Sequence, residues 1–157
     1  MKILIADDDI NKRERIKSFI ITKFNDKFEI SERHSYQSSL KCIQHELFDL
    51  VILDMTMPTY DISIEENGGR IKVFAGKEIM SKMIRRDLIM PVVVMTQFET
   101  FGEDEVTFSE LEKELKISYG EIFEEIIYYH NGLIGWQEKL ENRLNEYIRK
   151  NNENTST

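Results

Sequence analysis

Three short and almost unbroken apolar runs stand out along the chain, at residues 3–6, 50–53 and 92–95. Runs of this length that are rich in β-branched residues are typical of strands buried on both faces of a parallel sheet. A weaker strand is predicted over 28–32. A fifth is predicted over 125–129, where the spacing would also fit a helix.

Between these runs, apolar residues recur at the three- and four-residue spacing of a helix. Segments with this spacing cover 16–24, 40–47 and 79–84, and a last amphipathic helix runs from Trp136 to Ile148. Strands that alternate with helices in this way indicate βαβ units. The predicted fold is therefore a doubly wound α/β domain, with helices on both sides of a five-stranded parallel sheet in the order 2-1-3-4-5.

The length of the chain, 157 residues, suits one domain with one hydrophobic core. We predict that this domain covers 1–150 and that the polar segment 151–157 is a disordered tail. No output domain is expected after the last helix.

Residues 59–75 interrupt the alternation of strands and helices. Asn67, Gly68 and Gly69 tolerate positive φ, and apolar segments flank them, which predicts a hairpin-like insertion after the third strand. Its tip would be acidic through Glu65 and Glu66. A segment this long in a compact domain usually has a function or is disordered.

Composition excludes several classes of protein. The net charge of −8 disfavours binding to nucleic acid or to anionic membranes. No apolar run is long enough to span a bilayer, and the first residues look like a strand and not like a signal peptide. A cytoplasmic location is therefore expected. The single cysteine, Cys42, excludes an intramolecular disulfide and is expected to fill the core.

Acidic residues stand at the ends of two predicted strands. Asp7, Asp8 and Asp9 follow the first strand, and Asp54 follows the third. These strands should be neighbours, so their carboxylates would meet at one edge of the sheet. Carboxylates packed together repel one another, and Mg²⁺, which prefers oxygen ligands, would relieve that repulsion. The alternative is that the acidic run only caps the following helix, the role we expect for Asp9.

Three segments together resemble the bacterial response-regulator receiver domain. They are 2–9 (KILIADDD), 53–58 (LDMTMP) and 91–96 (PVVVMT). The order and spacing of the first two are similar to those of the family, and the resemblance extends over most of the chain.

The resemblance implies a role for each matching residue. Asp7 and Asp8 would be the acidic pair that binds Mg²⁺, and Asp54 the phospho-acceptor and a further metal ligand. Thr56 would lend a backbone carbonyl to the metal, and Thr96 would be the switch hydroxyl. A histidine kinase would donate the phosphoryl group, and an unidentified downstream protein would receive the signal.

The chain departs from the family at the end of the predicted fifth strand. Receivers carry Lys-Pro there, whereas residues 128–131 read Tyr-Tyr-His-Asn. Gln97 also stands where a small residue is usual. Arg70 or Lys72 of the insertion is a candidate to replace the missing lysine, and Arg70 is favoured because a guanidinium suits a planar carboxylate or phosphate. The alternative is that both, like Lys77, are solvated surface charges.

Two functions are weighed on these residues. The first is a stand-alone receiver that is phosphorylated on Asp54, is not an enzyme, and signals through protein contacts. The second is an unphosphorylated pseudo-receiver that serves as an adaptor or dimerisation module. A phosphohydrolase is disfavoured, because such enzymes need a second acid where Thr56 stands. A homodimer or partner contact is expected through the fourth helix, fifth strand and fifth helix. That region carries five aromatic residues, Phe98, Phe101, Phe108, Tyr119 and Phe123.

Overall fold

The computed structural model of the chain describes residues 1–63 and 67–155. The strands are β1 (Lys2–Ala6), β2 (Glu29–Arg33), β3 (Leu50–Leu53), β4 (Met57–Pro58), β5 (Ile71–Lys72), β6 (Val92–Thr96), β7 (Thr100–Phe101), β8 (Val106–Thr107) and β9 (Phe123–Tyr128). The helices are α1 (Ile10–Phe24), α2 (Tyr36–His45), α3 (Ala75–Arg85), α4 (Phe108–Tyr119) and α5 (Gly135–Thr155). A short 3₁₀ turn, Asn25–Lys27, follows α1.

The central sheet contains five parallel strands in the order β2-β1-β3-β6-β9. This confirms the predicted fold and strand order. One hydrophobic cluster packs α2, α3 and α4 against one face, and a second packs α1 and α5 against the other. The result is a three-layer domain whose loops at the carboxyl ends of the strands lie along one edge.

Strand β1 shows why these runs are apolar without a break. Successive side chains of a strand point to opposite faces of the sheet. Leu4 packs with the α2–α4 cluster, whereas Ile3 and Ile5 pack with the α1–α5 cluster. Every residue of β3 and β6 is likewise buried. The residues that follow these strands are therefore held on a rigid support.

The predicted hairpin after the third strand is present. Strands β4 and β5 pair in antiparallel fashion, and Ile62 bridges Asn67. Gly68 and Gly69 adopt φ angles of +82° and +70°, a conformation that glycine accepts without strain. The predicted acidic tip, with Glu65 and Glu66, lies outside the described residues.

A second small hairpin, which the sequence did not predict, joins β6 to α4. Strands β7 and β8 pair in antiparallel fashion, and Gly102 has a φ of +74° at the turn between them. Thr107 then begins α4 with a capping box, in which its hydroxyl accepts from the Glu110 N–H. Two-residue strands are too short to show a period in the sequence, so pattern reading misses them.

The end of α5 corrects the prediction of a disordered tail from residue 151. The helix continues to Thr155, whose hydroxyl donates to the carbonyls of Asn151 and Asn152 at 3.2 and 3.0 Å. Helical hydrogen bonds are local, so a polar segment can extend an amphipathic helix without a buried face of its own.

Within the described ranges, neither α5 nor any other helix is long and apolar enough to cross a membrane.

Candidate functional site

An acidic pocket forms at the carboxyl end of the central sheet, and it consists of Asp7, Asp8 and Asp54. Asp7 follows β1 and Asp54 follows β3, and these strands are paired neighbours. Carboxylate oxygens of the three residues lie within 4.8 Å of one another. Asp7 and Asp54 are buried, whereas Asp8 is exposed at the rim. The convergence predicted from the sequence is therefore present.

Backbone hydrogen bonds fix the two buried acids in place. The Asp54 N–H donates to the carbonyl of Ala6 at 2.9 Å, and the Asp7 N–H donates to that of Arg33 at 3.0 Å. The Arg13 guanidinium donates to the Asp7 carbonyl at 2.7 Å. The pocket is thus an extension of the sheet ladder, with little freedom to rearrange.

Asp9 begins α1 and does not join the pocket. Its carboxylate accepts from the Lys12 N–H at 3.1 Å, which is the helix-capping role expected of it. Asp9 thus caps the first turn of α1, the turn that contains Lys12.

Lys12 places a buried ammonium in the acidic pocket. Its side chain is 1% exposed, and Nζ lies 2.6 Å from Asp7 Oδ2 and 3.6 Å from Asp54 Oδ1. Nζ also donates to the backbone carbonyl of Met95 at 2.6 Å. Sequence reasoning did not single out this residue, although it is the cation of the pocket.

The sequence does contain a signal for Lys12. Ile16, Ile20 and Phe24 form the buried stripe of α1, and they are spaced four residues apart. Lys12 stands four residues before Ile16, on the same face of the helix. A lysine at the start of a buried stripe, beside a cluster of acids, can reach that cluster with its ammonium.

Tyr129 occupies the strand end where the receiver family carries its lysine. It directly follows β9, and its N–H donates to the Thr96 carbonyl at 2.8 Å. Its ring centroid lies 5.2 Å from that of Trp136 and 5.7 Å from Lys12 Nζ. An aromatic ring at this position therefore packs against the lysine that comes from α1.

The cations proposed from the insertion lie elsewhere. Lys72 Nζ is 3.1 Å from a carboxylate oxygen of Glu78, and Arg70 is exposed. Lys77 forms an ion pair with Glu114 on α4. In the described part of the chain, none of these three cations pairs with the acidic pocket. The prediction that Arg70 or Lys72 supplies the missing cation is therefore wrong, and the cation of the pocket is Lys12 of α1.

The reason is the direction in which the hairpin packs. The Thr59 carbonyl accepts from the Gln37 N–H at 3.0 Å, and the Ser38 hydroxyl donates to Asp61 at 3.0 Å. Both contacts tie the hairpin to the first turn of α2. Its return strand therefore runs toward α2 and α3 and brings neither Arg70 nor Lys72 to the pocket.

The two threonines predicted for the site lie at its edges. Thr96, at the end of β6, is fully buried, and its hydroxyl accepts from the Phe98 N–H at 3.2 Å. The Thr56 hydroxyl donates to the Val73 carbonyl at 2.8 Å and so ties the loop after β3 to the end of the hairpin. The switch role of Thr96 and the metal-binding role of the Thr56 carbonyl stay predictions.

Burial dominates the electrostatics of the pocket. It raises the pKa of Asp54, and the charges of Asp7 and Asp8 add to this, while Lys12 and the Met55 N–H oppose it. Burial lowers the pKa of the Lys12 ammonium, but the charges of Asp54 and Asp7 outweigh burial and raise it. Burial thus disfavours the charges of Asp54 and Lys12 alike, and each charge is stabilised by the other.

The residues present fit a divalent cation. Three carboxyl groups face one ammonium, and carboxylate oxygens are ligands that Mg²⁺ prefers. Both carboxylate oxygens of Asp7 already accept, one from the Asp9 N–H at 2.9 Å and one from Lys12. Asp8 and Asp54 are therefore the residues best placed to hold the metal directly, with Asp7 in support.

Comparison with known proteins gives two curated relatives of almost the same length. The chain is 33% identical over 150 residues to the Detocs response regulatory protein DtcB of Enterobacter cloacae, covering 93% of this chain and 99% of that protein. It is 30% identical over 147 residues to the uncharacterized protein y4jR of Sinorhizobium fredii, covering 90% and 95%. No protein-family profile matches the chain.

Solved structures share its fold at low sequence identity. The phosphorylated cyanobacterial phytochrome response regulator RcpA aligns with a TM-score of 0.65 at 15% identity, over 94% of this chain and 93% of that one. The response regulator TrrA of Thermotoga maritima, solved in complex with Mg²⁺ and BeF, aligns with a TM-score of 0.58 at 17% identity, over 93% and 97%.

Proposed function

Because the chain belongs to the response-regulator receiver family, we propose that it acts as a stand-alone receiver that accepts a phosphoryl group from a histidine kinase on Asp54. The observation that carries the proposal is the position of Asp54. It is buried at the end of β3, and its carboxylate lies within 4.8 Å of those of Asp7 and Asp8.

The two oxygens of Asp54 differ in their surroundings. Oδ1 accepts from the Met55 N–H at 2.8 Å and faces Lys12 at 3.6 Å. Oδ2 has no protein donor among the described residues, so we assign it as the nucleophile. It would attack the phosphorus of the phosphohistidine, forming an O–P bond as the P–N bond breaks and its electron pair returns to the imidazole.

Other residues of the pocket would prepare this transfer. Asp8 and Asp54, with the Thr56 carbonyl, would hold Mg²⁺. The positive charge of the metal would offset the negative charge on the phosphoryl oxygens. The Thr96 hydroxyl would donate to a phosphoryl oxygen. The chain would thus accept a phosphoryl group without acting as an enzyme on a separate substrate.

The signal would leave through protein contacts on the face of α4, β9 and α5, which would also serve a homodimer. Of the aromatic residues predicted for this face, Phe101 and Phe123 are buried, and Phe108 and Tyr119 are half-buried. Phe98 is 42% exposed. Any aromatic contact patch is therefore smaller than the sequence suggested, and Phe98 would be its centre. A cytoplasmic location, without nucleic acid or membrane as a partner, remains our expectation.

A pseudo-receiver is the second candidate, and one observation favours it. Lys12 bonds to Asp7 and to the Met95 carbonyl, both at 2.6 Å, and so fills the buried side of the pocket. A pocket closed in this way could serve only to keep the fold together. In that case the chain would act as an unphosphorylated adaptor.

Intact mass after incubation with acetyl phosphate and Mg²⁺ separates the two candidates. We expect the mass to rise by one phosphoryl group, and this gain to vanish in Asp54→Asn and in the presence of EDTA. Asp104→Asn, at an exposed acid in the β7–β8 turn, is the control and should gain the group like the parent. No gain in the parent would favour the pseudo-receiver, and a gain in Asp54→Asn would show that another residue is modified.

A further inference from the structure

The cation of the acidic pocket, Lys12, lies on helix α1. In the receiver family this cation is a lysine at the end of the last strand, where this chain has Tyr129. We propose that Lys12 of α1 neutralises Asp54 and then binds the phosphoryl group carried by Asp54, in place of the missing strand-end lysine. The phosphoryl half of this proposal rests on the proposed function.

The geometry leaves Lys12 one donor to spare. An ammonium has three N–H donors and no acceptor. One donates to the Met95 carbonyl and one to Asp7, each at 2.6 Å. Asp54 Oδ1, at 3.6 Å, is beyond a good hydrogen bond. The third donor therefore remains for Asp54 itself or for an oxygen of a phosphoryl group bound to it.

Tyr129 explains why the lysine comes from α1. Its ring is buried between Trp136 and the ammonium of Lys12, and so fills the volume beside the pocket. A lysine at 129 would bring a second ammonium to the same buried place, where like charges repel strongly. In this chain the cation on this side of the pocket comes from α1.

A purely structural Lys12 is the competing explanation, and the two make different predictions. If Lys12 only held the fold together, its loss would weaken phosphate uptake and Mg²⁺ binding together. If Lys12 instead shares Asp54 with the metal, removing its positive charge strengthens Mg²⁺ binding while it weakens phosphate uptake. The two readouts then move in opposite directions.

The test compares Lys12→Met with the parent protein. We expect the rate of phosphate uptake from acetyl phosphate to fall roughly 10- to 100-fold, as the loss of a charge-assisted hydrogen bond implies. Mg²⁺ affinity should rise roughly threefold or more as the competing charge is removed. Trp136, the one tryptophan of the chain, packs on Tyr129 beside Lys12 and provides the fluorescence signal for the Mg²⁺ titration.

A matched control lies on the same helix. Lys23 is 51% exposed and pairs with Glu141, so Lys23→Met removes a lysine from α1 without touching the pocket. It should leave both readouts unchanged. Circular dichroism checks that each variant is folded. Should Lys12→Met fail to fold, Lys12→Gln removes the charge but keeps a polar side chain, and the same expectations apply to it.

A rescue variant tests the exchange of positions directly. Lys12→Met combined with Tyr129→Lys returns the cation to the strand end, and we expect it to recover uptake to within roughly tenfold of the parent. Lys12→Met combined with Tyr129→Met, which makes room without restoring the charge, should not recover.

Three outcomes would overturn parts of the proposal. Uptake within twofold of the parent in folded Lys12→Met would refute the phosphoryl-binding role. Weaker Mg²⁺ binding in that variant would refute the pairing with Asp54 and support a structural role. A parent that takes up no phosphate overturns the proposed function and with it the phosphoryl half, while the Mg²⁺ titration still decides whether Lys12 pairs with Asp54.

Discussion

The acidic pocket, which includes Asp54 at the end of β3, and the β4–β5 hairpin, which begins shortly after Asp54, each contain an ion pair, but the two pairs differ in burial. In the pocket, the side chain of Lys12 is 1% exposed and that of Asp7 is 3% exposed. In the hairpin, the side chain of Lys72 is 30% exposed and its partner Glu78 is 49% exposed. Both pairs are short ion pairs. They differ in how much water surrounds them.

That difference decides how much each pair matters. An ion pair at the surface contributes about 0–1 kcal/mol because water and salt screen it. A buried charge that loses its partner costs about 3–5 kcal/mol, since no water replaces the lost contact. The residue type of a cation near a site is therefore a weaker guide to its role than its burial. Burial is not visible in the sequence, and residue type alone favoured Arg70 and Lys72.

Gly76 joins the two regions and gives the largest expected effect on stability. It is the second residue of α3, shortly after the hairpin, and its N–H donates to the Met55 carbonyl at 3.0 Å. A Cβ at this position would lie 2.8 Å from the Asp54 carbonyl and 3.2 Å from Met55 Cα. Because both are backbone atoms, Gly76→Ala should lower the free energy of unfolding by about 1–3 kcal/mol. Urea unfolding would measure it.

Gly135 provides the matched control for that substitution. It begins α5, and no heavy atom lies within 4 Å of a Cβ built there. Gly135→Ala should be neutral or should stabilise by up to about 1 kcal/mol, because alanine restricts the unfolded chain. Equal effects of the two alanines would show that α3 does not approach the pocket as closely as described.

Hydrophobic pattern accounts for the success of the fold prediction. Strands β1, β3 and β6 are buried on both faces, so their residues form continuous apolar runs that are visible in the sequence. The acids at their ends were identifiable for the same reason. Each stands directly after such a run, and the order of the strands brings the runs together.

The missed features depend on contacts that a one-dimensional pattern does not contain. Lys12 is polar, so it was absent from the apolar stripe of α1 although it lies on the same face. The direction of the hairpin depends on hydrogen bonds that α2 donates to Thr59 and Asp61, and the spacing of residues in the sequence does not predict them. Tertiary contacts of polar groups, more than secondary structure, limited the prediction.

The rim of the pocket yields a smaller, pH-dependent effect through Asp8. Partial burial of its carboxyl, and then the charge of Asp7, raise the pKa of Asp8 above its ordinary value of 3.8. A carboxyl with a raised pKa binds its proton more tightly in the folded than in the unfolded chain. Its contribution to stability is therefore lost as the pH rises from 3.8 through the folded-state pKa.

Asp8→Asn should remove this loss. Without metal, the variant should be more stable than the parent near neutral pH, by no more than about 1 kcal/mol for a charge at the rim. The advantage should shrink as the pH is lowered toward about 4, because the parent carboxyl then gains its proton. Thermal unfolding in EDTA at the two pH values measures it, with Asp104→Asn as an exposed-acid control. If a rise in pH stabilised the parent relative to the variant, the predicted direction of the Asp8 pKa shift would be wrong.

The smallest expected effect concerns the two cations of the hairpin. Arg70→Ala and Lys72→Ala should each leave the rate of phosphate uptake within about twofold of the parent, because screened surface charges contribute little. Lys72 pairs with Glu78, and its Nζ lies 4.8 Å from the ring centroid of Tyr36, so its loss affects the surface between the hairpin and α2. Acetyl phosphate incubation followed by intact mass gives both rates, with Lys12→Met in parallel as the variant expected to fall. A tenfold loss of the uptake rate in either hairpin variant would mean that the hairpin moves over the pocket during the reaction. The burial of a cation would then no longer distinguish the role of Lys12 from the roles of Arg70 and Lys72.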